Sequence, residues 1–296
     1  MMHFPNFAAA IDMVHRDMEA YATLVPPSFW QSVDVSTKPE MATFELMNVC
    51  FTVSMFGPAT LEGCLEKFRT DIKPNLPWAD DHFAERIGGE PINPGEQWAK
   101  WPYANSADKF RDNEGRFNHN YMERYWPRWA GEWEYLERNE EEQNIGIYHR
   151  LGDLNDVIDL LVRDPMTRQA YIPIFFPEDT GTHHMGRTPC TLGYQLFRRN
   201  DKLHINYHMR SCDLLRHFRD DIYLTARLCL WFIERLRERD PDNWFHVLPG
   251  EFFMTIASLH LFKNDWMAVF KTPPVAKGGC NEYHIGTSPR SPAIGK

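Results

Sequence analysis

Apolar residues recur at helical spacing over residues 5 to 23, where Phe7, Ile11, Val14, Met18 and Tyr21 share a face and Pro26-Pro27 closes the segment. This predicts a helix acting as a lid or packing arm. Residues 40 to 56 predict a second helix, opened by Pro39-Glu40 and apolar almost all round through Phe44, Leu46, Val49, Cys50, Phe51 and Val53. A helix without a polar face belongs in the interior. Residues 57 to 120 are rich in Pro, Gly and charge and predict variable surface loops with short helices. Asp153 can cap a helix through Val162, with Leu154, Val157, Ile158 and Leu161 on one face, and Asp164-Pro165 ends it before a strand from Ala170 to Phe176. Two runs of strand formers, Leu192 to Phe197 and Leu203 to Met209, flank the turn signal Arg199-Asn200-Asp201-Lys202 and predict a hairpin. Asp220 to Glu234 predicts an apolar helix with acids at its start and Arg235, Arg237 and Arg239 at its end, an order that suits the helix dipole. Residues 244 to 262 predict strands, and residues 273 to 296 a mobile Pro-, Gly- and Lys-rich tail.

No Pro/Gly/Ser linker divides the 296 residues, so a single domain over 1 to 296 is expected. The 43% apolar and 14% aromatic content supplies a large core. The longest apolar runs fall short of the roughly 20 residues a membrane span needs, and the first residues lack a signal-peptide layout. A soluble cytoplasmic protein is expected. The six cysteines, at 50, 64, 190, 212, 229 and 280, show no paired spacing, which predicts free thiols. A net charge of −9 disfavours nucleic-acid binding. It leaves room for a small anionic ligand where arginines cluster.

One such cluster accompanies a cysteine. Cys190 follows Pro189, and the hairpin carries Arg210-Ser211-Cys212-Asp213 back toward it. A cation beside a thiol lowers its pKa from about 8.5 toward neutrality, and the thiolate is the nucleophile. Glu45 is the only acid inside the apolar 40 to 56 run, where a lone carboxylate costs several kcal/mol unless paired or protonated. It is either a hydrogen-bonded core residue or a functional one. His183 and His184 have the look of a metal pair, but no third ligand is spaced to close a site, and no metal is expected.

Pro189-Cys190 followed twenty residues later by Arg210-Ser211-Cys212-Asp213 resembles the signature of the thymidylate synthase superfamily. The forms Pro189-Cys190-Thr191-Leu192-Gly193-Tyr194-Gln195 and Met209-Arg210-Ser211-Cys212-Asp213 look most like the branch making 5-hydroxymethylpyrimidine nucleotides. The resemblance covers residues 153 to 262, with further matches at Glu45, Tyr121 and Trp98. It implies an α/β fold, a mixed sheet with a buried central helix, and a sheet-to-sheet homodimer. It also implies a pyrimidine nucleoside monophosphate substrate, with 5,10-methylenetetrahydrofolate as cosubstrate.

The same resemblance assigns roles. Cys190 adds to C6 of the base; Cys212, the other thiol of the region, is the alternative nucleophile or, from its place inside the Arg210–Asp213 quartet, a packing residue. Glu45, followed by Leu46, is the general acid/base, with Tyr121 as a proton relay. Arg210 and Ser211 hold the 5′-phosphate, Asp213 orients the base or the pterin, Trp98 of the Trp98/Trp101 pair stacks by nucleotide and folate, and His260 meets the sugar. Arg168 reaches the partner subunit's phosphate, but Gln169 replaces the arginine that usually follows it. Phe262 likewise replaces a tyrosine and His217 a glycine.

Base choice falls on Asp221, where the uracil enzymes carry asparagine. A carboxyl with one proton accepts from the 4-amino group of cytosine and donates to its N3. The reading is therefore 5-hydroxymethylation of dCMP or CMP. Asp220 competes for that role, and both acids can equally be helix caps. The rivals are a dUMP hydroxymethylase, a methylating enzyme, and an inactive nucleotide-binding homologue.

Overall fold

The computed structural model describes residues 2–31, 33–106, 108–127, 152–180 and 187–274. His183, His184, Cys280 and the predicted tail from residue 275 onward lie outside the described residues. The elements are β1 (Met2–Phe4), α1 (Phe7–Tyr21), β2 (Thr23–Val25), β3 (Phe29–Trp30), β4 (Val33–Asp34), β5 (Thr43–Ser54), α2 (Leu61–Ile72), α3 (Trp78–Arg86), α4 (Tyr121–Tyr125), α5 (Leu154–Arg163), β6 (Tyr171–Pro173), β7 (Thr191–Arg199), β8 (Lys202–Asp213), α6 (Phe218–Arg239), α7 (Pro241–Trp244), β9 (Leu248–Phe262) and α8 (Trp266–Phe270). One mixed sheet runs in the order β1, β5, β9, β8, β7, β6, with β2 also paired to β5. The pairs β1/β5 and β8/β9 are parallel, and the remaining pairs of this sheet are antiparallel.

Several elements follow directly from their local chemistry. Asn6 caps α1 by accepting from the Ala9 amide at 2.9 Å, and α1 buries Phe7, Ile11, Val14 and Met18 on the predicted face. Asp153 and Asp156 form a reciprocal capping box at the start of α5. The β7/β8 hairpin turns at Asn200 and Asp201, with φ of 49° and 56°. These residue types tolerate the left-handed pair that a tight hairpin requires. Helix α6 extends the predicted 220 to 234 span at both ends; Ile222, Ala226, Leu228, Phe232 and Ile233 are fully buried in the core beside the sheet.

Three expectations are corrected. The apolar 40 to 56 run is not a helix but the interior strand β5, lying between β9 on one side and β1 and β2 on the other. Its consecutive residues Phe51, Thr52 and Val53 are all buried, because a strand covered on both faces loses its polar alternation. Pro39 opens only a single turn, Pro39–Met41. The buried helix implied by the fold is α6. Residues 57 to 120 contain two regular helices, and α2 is capped by Thr60, whose hydroxyl accepts from the Gly63 amide at 3.1 Å. The strand expected over Ala170 to Phe176 shortens to Tyr171–Pro173. Among the described residues, Cys50, Cys64, Cys190, Cys212 and Cys229 are free, and no helix is long and apolar enough to cross a membrane.

Candidate active site

Cys190 lies one residue ahead of β7, where the ladder is irregular: the register with β8 shifts between Thr191 and Gly193. The Leu192 carbonyl accepts from the Ile174 and Phe175 amides at 3.0 and 3.1 Å. Glycine is required next, since a Cβ on Gly193 would stand 2.4 Å from the Tyr171 hydroxyl and 2.6 Å from the Ile172 carbonyl. Such bulges re-aim side chains. Here Thr191 is fully buried, while Cys190 is half-buried where two cavities meet.

The inner chamber, of about 160 Å³, is bordered by Trp78, Arg86, Trp98, His119, Tyr121 and Asp221. The outer cleft, of about 490 Å³, is bordered by Arg187, Arg210, Arg216 and His260. Cys190, Ser211, Asp213, Trp101 and His217 border both. The outer cleft thus gathers Arg187, Arg210 and Arg216, while the inner chamber, which Arg187 also borders, combines aromatic rings with Arg86 and the carboxyls of Asp213, Asp220 and Asp221.

Arg210 is clamped onto the backbone around the thiol. Its Nε donates to the Pro189 carbonyl at 2.8 Å, and Nη2 donates to the Thr188 carbonyl at 2.9 Å and reaches Cys190 Sγ at 3.9 Å. Burial pushes the Cys190 thiol above its ordinary pKa, with Arg210 pulling the other way. The expected shift toward neutrality is therefore reversed, because desolvation of the thiolate outweighs the cation. Beside it, Ser211 Oγ lies 3.3 Å from His260 Nδ1, as the parallel register of Asp213 with His260 dictates.

Asp213 spends its carboxylate locally. Oδ1 accepts from the Leu215 and Arg216 amides, each at 2.9 Å, and Oδ2 from Arg216 Nη1 at 2.7 Å. It thereby fixes the turn carrying His217, whose ring stacks on Trp101 at 4.6 Å and 19°. Burial lowers the His217 pKa to about 4, so the stacked ring is neutral. The Trp101 indole N–H is buried and has no hydrogen-bond partner among the described residues. A neutral aromatic wall with one unused donor suits a flat, polar-edged ring.

The two acids at the start of α6 have separated roles. Asp220 accepts from the Asn75 amide and side chain at 2.8 and 2.7 Å. Asp221 is only 8% exposed, and its pKa is raised to about 7 by burial, with Asp220 adding to the rise and Arg86 opposing it. The Cys212 thiol, fully buried, donates toward Asp221 Oδ2 at 3.8 Å, which gives Cys212 its packing place.

Tyr121 opens α4, with its hydroxyl 2.9 Å from Thr191 Oγ1 and the Arg86 guanidinium 4.1 Å over its ring. Burial raises its phenol well above the ordinary value. Trp98 meets Phe117 edge-on at 5.3 Å, with Arg111 over its face.

Cys190, Tyr121, Trp98, Arg210, Ser211, Asp213, Asp221 and His260 therefore converge on the two cavities. Glu45 does not. It sits half-buried on β5, opposite His260 in the β9 register, and accepts from the Ser258 hydroxyl outside the lining of either cavity. Arg168 is exposed and also borders neither cavity. Arg86, His119 and Arg187 border the site without having been singled out from the sequence. His119 and Arg187 had one available signal, adjacency to Tyr121 and to Pro189-Cys190; Arg86 had none.

These elements define an α/β protein with a cysteine-centred site at the entry of a bulged strand. A family model described as thymidylate synthase matches residues 94–272, and the chain belongs to that family. Over 171 residues it is 29% identical to the deoxyuridylate hydroxymethyltransferase of Bacillus phage SP01, a match covering 56% of this chain and 39% of that one. The chain thus spans about two fifths of the length of that relative. Its fold is similar to that of thermostable thymidylate synthase A from Bacillus subtilis, with a TM-score of 0.55 and 12% identity over 89% of this chain and 82% of that one. The expected α/β fold with a mixed sheet is borne out.

Proposed function

We propose that this chain is a pyrimidine nucleotide 5-hydroxymethyltransferase. Its reaction combines dCMP or CMP with methylenetetrahydrofolate and water, giving the 5-hydroxymethyl nucleotide and tetrahydrofolate. The observation that carries the cytosine preference is Asp221, buried at the chamber and holding its proton up to about pH 7. As a neutral carboxyl it accepts from the cytosine amino group and donates to N3. Asp220 is the poorer candidate, since both of its oxygens already accept from Asn75.

In this reading Cys190 adds to C6 and makes C5 a nucleophile. Arg210 and Ser211 hold the 5′-phosphate in the cationic outer cleft, His260 meets the sugar, and Arg168 of a second subunit completes the phosphate site in a homodimer. Trp98, Trp101 and His217 would hold the folate, with Asp213 fixing the turn that carries His217. When bound, methylenetetrahydrofolate supplies a one-carbon unit at the oxidation level of formaldehyde.

A uracil nucleotide is the second reading, favoured by the name of the phage relative. The test is incubation with methylenetetrahydrofolate and 5-tritiated dCMP, CMP and dUMP in parallel, with products identified by mass. Tritium release from a cytosine nucleotide with a gain of CH2O supports the proposal. Release from dUMP alone favours the second reading, and release from none favours an inactive nucleotide-binding homologue.

A further inference from the structure

His119 and Tyr121 border the inner chamber from either side of Asn120, whose backbone is extended at φ −142° and ψ 150°. An extended residue leaves its two neighbours on one face, with Cα atoms about 6.6 Å apart, a span one water can bridge.

Each neighbour has a fixed hydrogen-bonding role. His119 Nδ1 lies 3.0 Å from the Arg187 carbonyl, which can only accept. Nδ1 therefore carries the proton, and Nε2 keeps a bare lone pair. Burial pushes this imidazole well below its ordinary pKa, so the neutral form persists. Beneath Tyr121, the buried Tyr207 hydroxyl finds its one hydrogen-bond partner among the described residues in Thr191 Oγ1, at 2.9 Å. A buried hydroxyl hydrogen left without an acceptor carries its full desolvation penalty. So Tyr207 donates to Thr191, Thr191 donates to Tyr121 at 2.9 Å, and Tyr121 keeps its own hydrogen for the chamber.

One acceptor and one donor thus belong to residues that line the same chamber. We propose that His119 and Tyr121 hold the water consumed in hydroxymethyl transfer, with His119 Nε2 as the base that takes its proton. This rests on the hydroxymethyltransferase reading above, and it gives the chamber the base that Glu45, outside both cavities, does not supply. In the adduct with Cys190 on C6 and an exocyclic methylene on C5, the water oxygen bonds to the methylene carbon. The methylene π pair moves into the ring toward C4, and the water's proton goes to His119. The pair then returns to form the C5–C6 double bond and expels Cys190 as thiolate, which takes the proton back from the imidazolium directly or through solvent. The net change is addition of one water and release of the thiol, with no oxidant or reductant. Thr191 and Tyr207 are positioning residues in this scheme.

The test is a product ratio. C5 tritium is released before water adds, so with enzyme in excess over nucleotide and only the first turnover read, loss of the water-holding pair raises the ratio of tritium released to hydroxymethyl product formed. His119→Gln retains an N–H for the Arg187 carbonyl but no basic lone pair. General bases contribute about 10²–10⁴-fold, so its ratio is expected to rise by about tenfold or more, with the Cys190–nucleotide adduct accumulating in intact-protein mass spectra. Tyr121→Phe and Thr191→Val should move the ratio the same way, and Thr191→Ser should restore it. An unchanged ratio in His119→Gln overturns the proposal, even if both rates fall together. A wild-type protein that releases no tritium, or makes only methyl product, overturns the hydroxymethyl reading and this inference with it.

Discussion

Arg210 reaches to within 3.9 Å of Cys190 Sγ while holding the Thr188 and Pro189 carbonyls, so one guanidinium both fixes the nucleophile's backbone and sits beside its sulfur. Burial nevertheless keeps the thiol protonated above the ordinary range. Alkylation of Cys190 by iodoacetamide should therefore be slow at pH 7 and accelerate as pH rises past the usual thiol pKa. Arg210→Gln removes the opposing cation and should move that curve to higher pH. Cys190→Ser should abolish turnover yet leave nucleotide binding within about threefold, since phosphate and base contacts remain. Measurable turnover in this variant would remove Cys190 from the chemistry.

Asp221 makes a pH-dependent prediction whose sign can be worked out. Its pKa is about 7 in the folded chain against 3.8 unexposed to the fold, so the folded state binds the proton more tightly. Between those values the unfolded state carries fewer protons, and this group's contribution to stability falls as pH rises. The same proton serves the cytosine ring in the proposed complex. Affinity for dCMP should be full below about pH 7 and fall by about tenfold per unit above it. Asp221→Asn should flatten that profile, move preference toward uracil nucleotides, and be more stable relative to wild type at pH 8 than at pH 5. Calorimetric titrations with dCMP and dUMP at several pH values would decide it, and an unchanged base preference would exonerate Asp221.

What the sequence disclosed about this site follows its chain geometry. Cys190, Arg210, Ser211 and Asp213 were legible because a single hairpin, with its own turn signal at Asn200-Asp201, brings them together. The strand β5 was not, because a continuous apolar run reads alike as a buried helix or a doubly covered strand, and Pro39 supplied a false helix start. That error also misplaced Glu45. Helix α2 did show its pattern, with Thr60 capping and Cys64, Phe68 and Ile72 one turn apart, but the surrounding Pro58, Pro74 and Pro77 obscured it. Arg86, His119 and Asn75 act across long separations in the chain, and local patterning carries no trace of such pairings.

Helix α4, which opens with Tyr121, is tied down by a fully buried ion pair. Arg124 donates through both Nη atoms to Asp179, each at 2.9 Å, and the two side chains are 2% and 1% exposed. Removing one partner strands the other charge, so Asp179→Ala should cost about 3–5 kcal/mol in urea unfolding. Activity should fall more than nucleotide binding, because Tyr121 loses its anchor. Replacing both partners, as Arg124→Met with Asp179→Leu, should recover most of the loss in stability. A single variant within about 0.5 kcal/mol of wild type would show that the pair contributes little.

Arg168 is exposed and borders neither cavity of its own protomer, which makes its proposed part in the phosphate site depend on a second copy of the chain. With Gln169 where a second arginine would stand, the crossing contact falls to one guanidinium, a bidentate donor for phosphate. Arg168→Ala should therefore raise KM for the nucleotide about tenfold or more, consistent with the loss of one charge-assisted contact of about 1.5–3 kcal/mol. Subunit mixing separates this from a structural effect. In a two-fold dimer, a mixture of Arg168→Ala and Cys190→Ser chains after dissociation and reassociation places one intact site in every heterodimer, with Cys190 from one chain and Arg168 from the other. Random pairing should then restore about a quarter of wild-type activity at low nucleotide concentration, where each parent alone is nearly silent. If Arg168 instead acts within its own chain, the Arg168→Ala defect stays with the Cys190-bearing subunit. Mixing would then yield no more than the sum of the two parents.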